Sequence, residues 1–102
     1  MPKGWEAETV FDLFGEPTAR DVLARASEKP TDADTLADAL GVSRPTVYRH
    51  VEELVEYGML AEREHIDDEG NRYRTYAATL ESVTFTLADG RIDVDVERAP
   101  DA

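Results

Sequence analysis

The first half of the chain repeats apolar residues at intervals of three and four, which is the spacing of one face of an α-helix. The first such stripe runs from Ala7 to Phe14, and the last runs from Val47 to Val55. The pattern predicts four helices, over about 6–14, 17–28, 32–40 and 43–57.

Residues with special backbone preferences mark the ends of these helices. Thr31 is suited to cap the third helix, with Asp34 three residues later as an approximate capping box. Gly41 ends that helix, because glycine readily adopts the positive φ of a sharp turn. Ser43 is suited to cap the fourth helix, and Pro45 falls in its first turn, where a missing N–H removes no helical hydrogen bond.

After Gly58 the apolar period changes to two, which is typical of β-strands. Strands are predicted over about 59–66 and 72–79, and again over about 82–88 and 91–97. The second pair is joined by Asp89-Gly90, a dipeptide suited to a type I′ turn. This loop places six apolar residues on one face of the hairpin: Val83, Phe85, Leu87, Ile92, Val94 and Val96. The order of elements predicts a single α+β domain over 1–102, with four helices and two β-hairpins.

The most informative segment is 33–58, in which a short helix, a turn at Gly41 and a longer helix follow one another. This arrangement is a helix-turn-helix, whose second helix enters the major groove of DNA. Residues 42–50 contain Arg44 and Arg49 but no acid, and three glutamates follow only later in the helix. The segment therefore predicts a recognition helix at about 43–57 that contacts DNA with its first turns.

The stretch from Phe14 to Glu64 resembles the winged helix-turn-helix regulators of the ArsR-like group. Besides the helix-turn-helix, it contains a G-x-P-T-x-R segment beginning at Gly15 and a G-x-L segment beginning at Gly58. The resemblance covers a core over 10–79 and implies a winged helix-turn-helix fold with four helices. Its wing would be the hairpin at about 59–79, and the C-terminal β-hairpin at 80–97 is additional.

The resemblance also implies a homodimer that binds palindromic or repeated sites in double-stranded DNA. Base contacts would come from the fourth helix and backbone contacts from the wing. Metal-sensing members of the group use cysteine or histidine clusters, whereas this chain has no cysteine and only two histidines. We therefore expect no metal and no cofactor, and no effector can be identified from the sequence.

Candidate DNA contacts lie at the start of the fourth helix and on the wing. In the helix they are the arginines, which can bind guanine or phosphate, and their neighbours: Ser43, Arg44, Pro45, Thr46, Tyr48, Arg49 and His50. On the wing they are Arg63, Arg72 and Arg74, of which the last two share one strand face. A structural role, such as a cap, a surface ion pair or a satisfied histidine, is the alternative for each. Acids at 67–69 would repel phosphate, so we expect the wing to lie along the DNA backbone rather than insert its tip.

The apolar face of the second hairpin needs a cover, because an isolated hairpin is barely stable in water. It packs either on the first helix of its own subunit or on a second subunit. We expect a homodimer whose interface is built from large apolar residues of the N-terminal segment and the hairpin: Trp5, Val10, Phe11, Phe14, Val83 and Phe85. Ordinary packing within one subunit is the alternative.

The net charge of the chain bears on the prediction that it binds DNA. Its 23 acidic and 11 basic residues give a formal net charge of −12, which opposes DNA binding in dilute buffer. Only Lys3 and Lys29 are lysines, and low lysine with abundant acid resembles the cytoplasmic proteins of halophilic archaea. At molar salt the Debye length falls to about 3 Å, so that only charges at the contact surface act on DNA. An ordinary acidic domain that binds another protein is the alternative.

The remaining motifs limit the classes of function. No apolar run approaches the roughly 18 residues of a membrane span, and the N-terminus lacks a signal peptide, so we expect a cytoplasmic protein. No Ser–His–Asp order, glycine-rich phosphate loop or HExxH helix occurs, so we do not expect an enzyme.

The sequence predicts a sequence-specific DNA-binding transcription regulator. The alternative is a winged-helix module that binds proteins and not DNA, which would have no reason to exclude acids from 42–50.

Overall fold

The computed structural model describes residues 7–99, which form an α+β fold. The helices and strands are, in chain order, α1 (Ala7–Gly15), α2 (Pro17–Glu28), α3 (Ala33–Leu40), α4 (Arg44–Glu56), β1 (Leu60–Ile66), β2 (Arg72–Ala78), β3 (Leu80–Ala88) and β4 (Arg91–Arg98). Within this range the strands form two antiparallel hairpins, β1–β2 and β3–β4. The predicted α+β class and every predicted helix and strand are confirmed, with small shifts at their ends.

One hydrophobic core joins α1, α2, α3 and α4 to the first hairpin. Its side chains with no exposed surface are Val22, Leu36, Val47, Val51, Leu54 and Met59. Tyr76 of β2 is also buried in this core, with 3% of its surface exposed. The apolar stripe predicted for the fourth helix therefore faces inward, and the opposite side of that helix faces solvent.

The start of α3 differs from its prediction. Asp32 is the N-cap, and its carboxylate accepts a hydrogen bond of 2.7 Å from the N–H of Thr35. The expected cap at Thr31 is wrong, because the backbone of Thr31 pairs with Tyr76 through hydrogen bonds of 3.0 and 2.8 Å. Strand-like pairing holds Thr31 outside the helix, and the bridge ties the α2–α3 connection to the first hairpin.

The end of α4 anchors the second hairpin. Gly58, with φ +74°, donates to the carbonyl of Val55, and Met59 donates to that of Leu54, which is a Schellman arrangement. The hydroxyl of Thr79 then donates to the carbonyl of Gly58 at 2.8 Å. The N–H of Thr79 donates to the carbonyl of Met59 at 2.9 Å. The chain therefore leaves the first hairpin at a point fixed against α4.

The second hairpin has the predicted turn and register. Asp89 and Gly90 have φ of +53° and +78°, and a type I′ turn requires positive φ at both positions. The predicted facing pairs are present: Val83 with Val96, Phe85 with Val94, and Leu87 with Ile92.

This hairpin contacts α1 of its own subunit, where Phe85 stacks on Phe11. The apolar face nearer the turn stays uncovered, with Leu87 80% and Ile92 44% exposed. Packing within one subunit, the alternative to a dimer, is thus present at Phe85 but does not cover the whole face. No helix among residues 7–99 combines the length and apolar character that crossing a membrane requires.

Candidate nucleic-acid interface

The turn between α3 and α4 depends on one glycine. Gly41 adopts a left-handed backbone conformation, with φ +66° and ψ +33°, and its N–H donates to the carbonyl of Ala37. The N–H of Val42 donates to the same carbonyl at 3.2 Å, and its side chain packs against the core. The turn therefore sets the angle at which α4 leaves α3.

The first turn of α4 is closed by two hydroxyl side chains. Ser43 is the N-cap, as predicted, and its Oγ accepts a hydrogen bond of 3.3 Å from the N–H of Thr46. The hydroxyls of these two residues also share a hydrogen bond of 2.9 Å. Pro45 is exposed in this turn. The capping bonds fix the start of the helix and leave its neighbouring side chains facing solvent.

The exposed side of α4 carries two rows of side chains, each with a spacing of four residues. The row on the side of the first hairpin is Arg44, Tyr48, Glu52 and Glu56, and the row beside it is Pro45, Arg49 and Glu53. Both rows are free of acid in the first two turns and acidic afterwards. The charge gradient seen in the sequence therefore lies on the exposed surface of this helix.

His50 does not belong to this surface. It lies on the buried side of α4, with 4% of its surface exposed. Its Nε2 is 3.3 Å from Nη2 of Arg49, and because a guanidinium can only donate, Nε2 is the acceptor. A phosphate cannot reach this ring, so His50 is a satisfied structural histidine and its prediction as a DNA contact is wrong. Its position between Val47 and Leu54 on the apolar stripe is the sequence signal for burial.

A groove of about 440 Å³ separates the start of α4 from β2, and a second of about 270 Å³ lies further along the helix. Tyr48, Arg74 and Tyr76 line both. Burial raises the pKa of the Tyr76 phenol above its usual value, and the nearby carboxylate of Glu62 raises it further. The phenol therefore stays neutral where the two elements meet.

Three arginines around the first groove form ion pairs with carboxylates. The pairs are Arg44 Nε to Asp34 Oδ1 at 2.7 Å, Arg72 Nη1 to Glu64 Oε1 at 3.4 Å, and Arg74 Nη1 to Glu62 Oε1 at 3.1 Å. All six side chains are more than a third exposed, so each pair contributes at most about 1 kcal/mol. Sequence reasoning did not identify these carboxylates, because their partners lie on other helices and strands.

The first hairpin divides its arginines between two faces. Arg72 and Arg74 share one face with buried Tyr76, which confirms the prediction that they lie together. Arg63 pairs with Thr75 and points to the opposite face. That face also carries His65, which shares a hydrogen bond of 2.8 Å with Thr75. Arg63 therefore cannot act on the same ligand surface as the other two arginines.

The residues predicted for a dimer interface differ in how much of their surface is buried within their own chain. Val10 has no exposed surface in its own subunit, so its prediction as an interface residue is wrong. Phe14 is half-buried against the core and Val83 is half-buried in the hairpin. Phe11 and Phe85 are 41% and 44% exposed. Trp5 lies outside the described residues.

Over residues 7–99, four helices, an antiparallel hairpin beside the last of them and a further hairpin define a small α+β fold. Residues 7–81 match the family described as HVO_A0261 N-terminal domain, and the chain belongs to this family of halophilic archaeal proteins. The match spans α1 to the start of β3 and agrees with the halophilic composition. It contains nothing specific to the ArsR-like group, so that resemblance stays a prediction. A search of curated proteins finds no match.

Proposed function

We propose that this protein is a sequence-specific DNA-binding transcription regulator with a winged helix-turn-helix fold, acting in the cytoplasm as a homodimer. In this proposal α3 and α4 are the helix-turn-helix, and β1–β2 is the wing. The observation that carries it is the exposed start of α4, where Arg44, Tyr48 and Arg49 face solvent with no acid before residue 52. Solvent-facing arginines at a capped helix start, directly after a sharp turn, are what insertion into a major groove requires.

In this proposal α4 and β2 contact different parts of the DNA. Arg44 and Arg49 would meet base edges or phosphates, and the Tyr48 hydroxyl would reach a phosphate. Arg72 and Arg74, across the groove, would lie along the backbone. The glutamates occupy the later turns of α4, farther from a docked duplex, and at molar salt their repulsion is screened within about 3 Å.

The homodimer would use the uncovered apolar surface of α1 and the second hairpin. Phe11, Phe85, Leu87 and Ile92 all keep more than a third of their surface exposed. A second copy of the chain on this surface would bury these side chains. It would also present two α4 helices, which must lie about 34 Å apart to enter successive major grooves.

The ion pairs are the observation that supports a second candidate function, a winged-helix module that binds another protein. Asp34, Glu62 and Glu64 offset the charge of three of the proposed DNA-contacting arginines. Such a surface suits a partner with both charges. The acid-free start of α4 has no purpose in this candidate, which is why we favour DNA.

Fluorescence anisotropy separates the two candidates. The full chain is titrated onto labelled promoter fragments from a halophilic archaeon at low and molar KCl. We expect binding at molar KCl that the Arg44→Ala/Arg49→Ala variant loses. The Arg25→Ala/Arg91→Ala variant removes the same charge from α2 and the second hairpin, and should bind like wild type. Absence of binding across the fragments, or equal binding by both variants, would refute the DNA proposal.

A further inference from the structure

Arg44 and the arginines of β2 are held by carboxylates through different atoms. Asp34 contacts Nε of Arg44, whereas Arg72 and Arg74 are each contacted at the terminal nitrogen Nη1. Nε is the inner nitrogen of the guanidinium group. The contact of the Arg44 pair is therefore at the inner nitrogen, and the contact of each of the other two pairs is at a terminal nitrogen.

The Arg44 pair also has a distinctive position. Arg44 is the first residue of α4, and Asp34 lies in the first turn of α3. The contact thus links the two helices of the proposed helix-turn-helix where DNA would approach. The side chains are 65% and 62% exposed, so both can be reached by a ligand.

The terminal nitrogens of arginine form the fork that matches O6 and N7 of guanine. Resting on the proposed DNA-binding function, we propose that Asp34 is a positioning residue that holds Arg44 by Nε and turns this fork toward a guanine. The carboxylate would also disfavour a phosphate at the same arginine, because two anions would then share one cation. Asp34 would in this way favour the specific site over other DNA.

The chain offers a matched control in Asp38. It lies one turn after Asp34 on the same helix and is exposed. The ion pairs formed among residues 7–99 do not include it. Asp34→Ala and Asp38→Ala therefore remove the same charge from neighbouring positions, and only the first releases Arg44.

The test starts with selection of binding sites from a random duplex pool by the full wild-type chain at molar KCl. Each guanine of the selected site is then replaced by 7-deazaguanine, which lacks N7. At one guanine per half-site we expect wild-type affinity to fall by about fivefold or more. The Arg44→Ala variant should be insensitive to that replacement, because it has lost the reading group.

Asp34→Ala should weaken binding to the selected site by about two- to fivefold relative to Asp38→Ala, the range of an exposed ion pair. It should also bind a scrambled duplex more tightly than Asp38→Ala does. Circular dichroism spectra matching wild type would establish that both variants fold.

The outcomes separate this inference from the function on which it rests. If no site is selected, both fail. If a site is selected but the two aspartate variants behave alike, DNA binding stands and the role of Asp34 is refuted. A 7-deazaguanine effect that persists in Arg44→Ala would assign guanine reading to another residue and also refute it.

Discussion

Phe11 of α1 and Phe85 of β3 stack with their ring centroids 5.1 Å apart and their planes 10° from parallel. The two residues come from opposite ends of the chain. Their contact holds the second hairpin against the first helix, although each ring keeps about two fifths of its surface exposed.

We expect the two rings to stabilise each other. In a double-mutant cycle of Phe11→Ala and Phe85→Ala, the coupling in the free energy of unfolding should be about 0.5–1.5 kcal/mol. Urea unfolding at constant molar KCl measures it. Thr84, on the other face of β3, is the control partner, and its cycle with Phe11 should show no coupling. Additive effects of the two phenylalanine variants would contradict the stacking.

The uncovered apolar end of the second hairpin gives a test of the proposed dimer. Leu87→Lys places a charge in the middle of this surface and should shift sedimentation equilibrium toward the monomer. Thr86→Lys adds the same charge on the opposite face and should leave the dimer intact. A wild-type chain that sediments as a monomer, or equal behaviour of the two variants, would exclude this interface.

Replacing arginines on the two faces of the first hairpin should change DNA affinity to different extents. Arg74→Ala removes a proposed backbone contact and should weaken binding to all duplexes alike, while lowering the salt dependence of binding. Arg63→Ala removes an arginine from the opposite face and should have no effect. Anisotropy titrations over a series of KCl concentrations measure both, and a loss of affinity only in Arg63→Ala would reverse the assigned face.

A side chain at Gly41 should destabilise the fold. Its φ of +66° disfavours a Cβ by roughly 1–2 kcal/mol, so Gly41→Ala should lower the free energy of unfolding by about that amount. Gly15 is the matched control, since it ends α1 without positive φ and a Cβ there meets nothing within 4 Å. Gly15→Ala should be neutral or slightly stabilising. Equal effects in urea unfolding would show that the turn does not depend on glycine.

We expect the raised pKa of Tyr76 to make the folded protein less stable at alkaline pH. Because burial raises the pKa of its phenol above 10.0, the folded state holds the proton more tightly than the unfolded state. The protonated phenol of Tyr76 therefore adds its full contribution to the free energy of unfolding below pH 10, and this contribution is lost as the pH rises above 10. The free energy of unfolding of wild type should therefore fall relative to Tyr76→Phe in this range. Absorbance at the tyrosinate band should show one phenol fewer titrating late in that variant.

Much of the fold could be predicted because its determinants are local. Apolar periodicity and residues such as Ser43, Gly41 and Asp89-Gly90 act within a few positions of themselves, so helix ends, the type I′ turn and the hairpin register follow from short segments. The exposed, acid-free start of α4 follows in the same way, because helical spacing assigns each residue to a side of the helix.

The packing of these elements decided what the sequence left open. Thr31 pairs with a strand, Val10 is buried, and Arg44 finds Asp34 across the turn, since each partner lies on another element. The stacking of Phe11 on Phe85 joins positions more than seventy residues apart. Periodicity identifies which side of an element is apolar, but only the three-dimensional arrangement determines which neighbour that side meets, because side-chain contacts depend on distance in space and not along the chain.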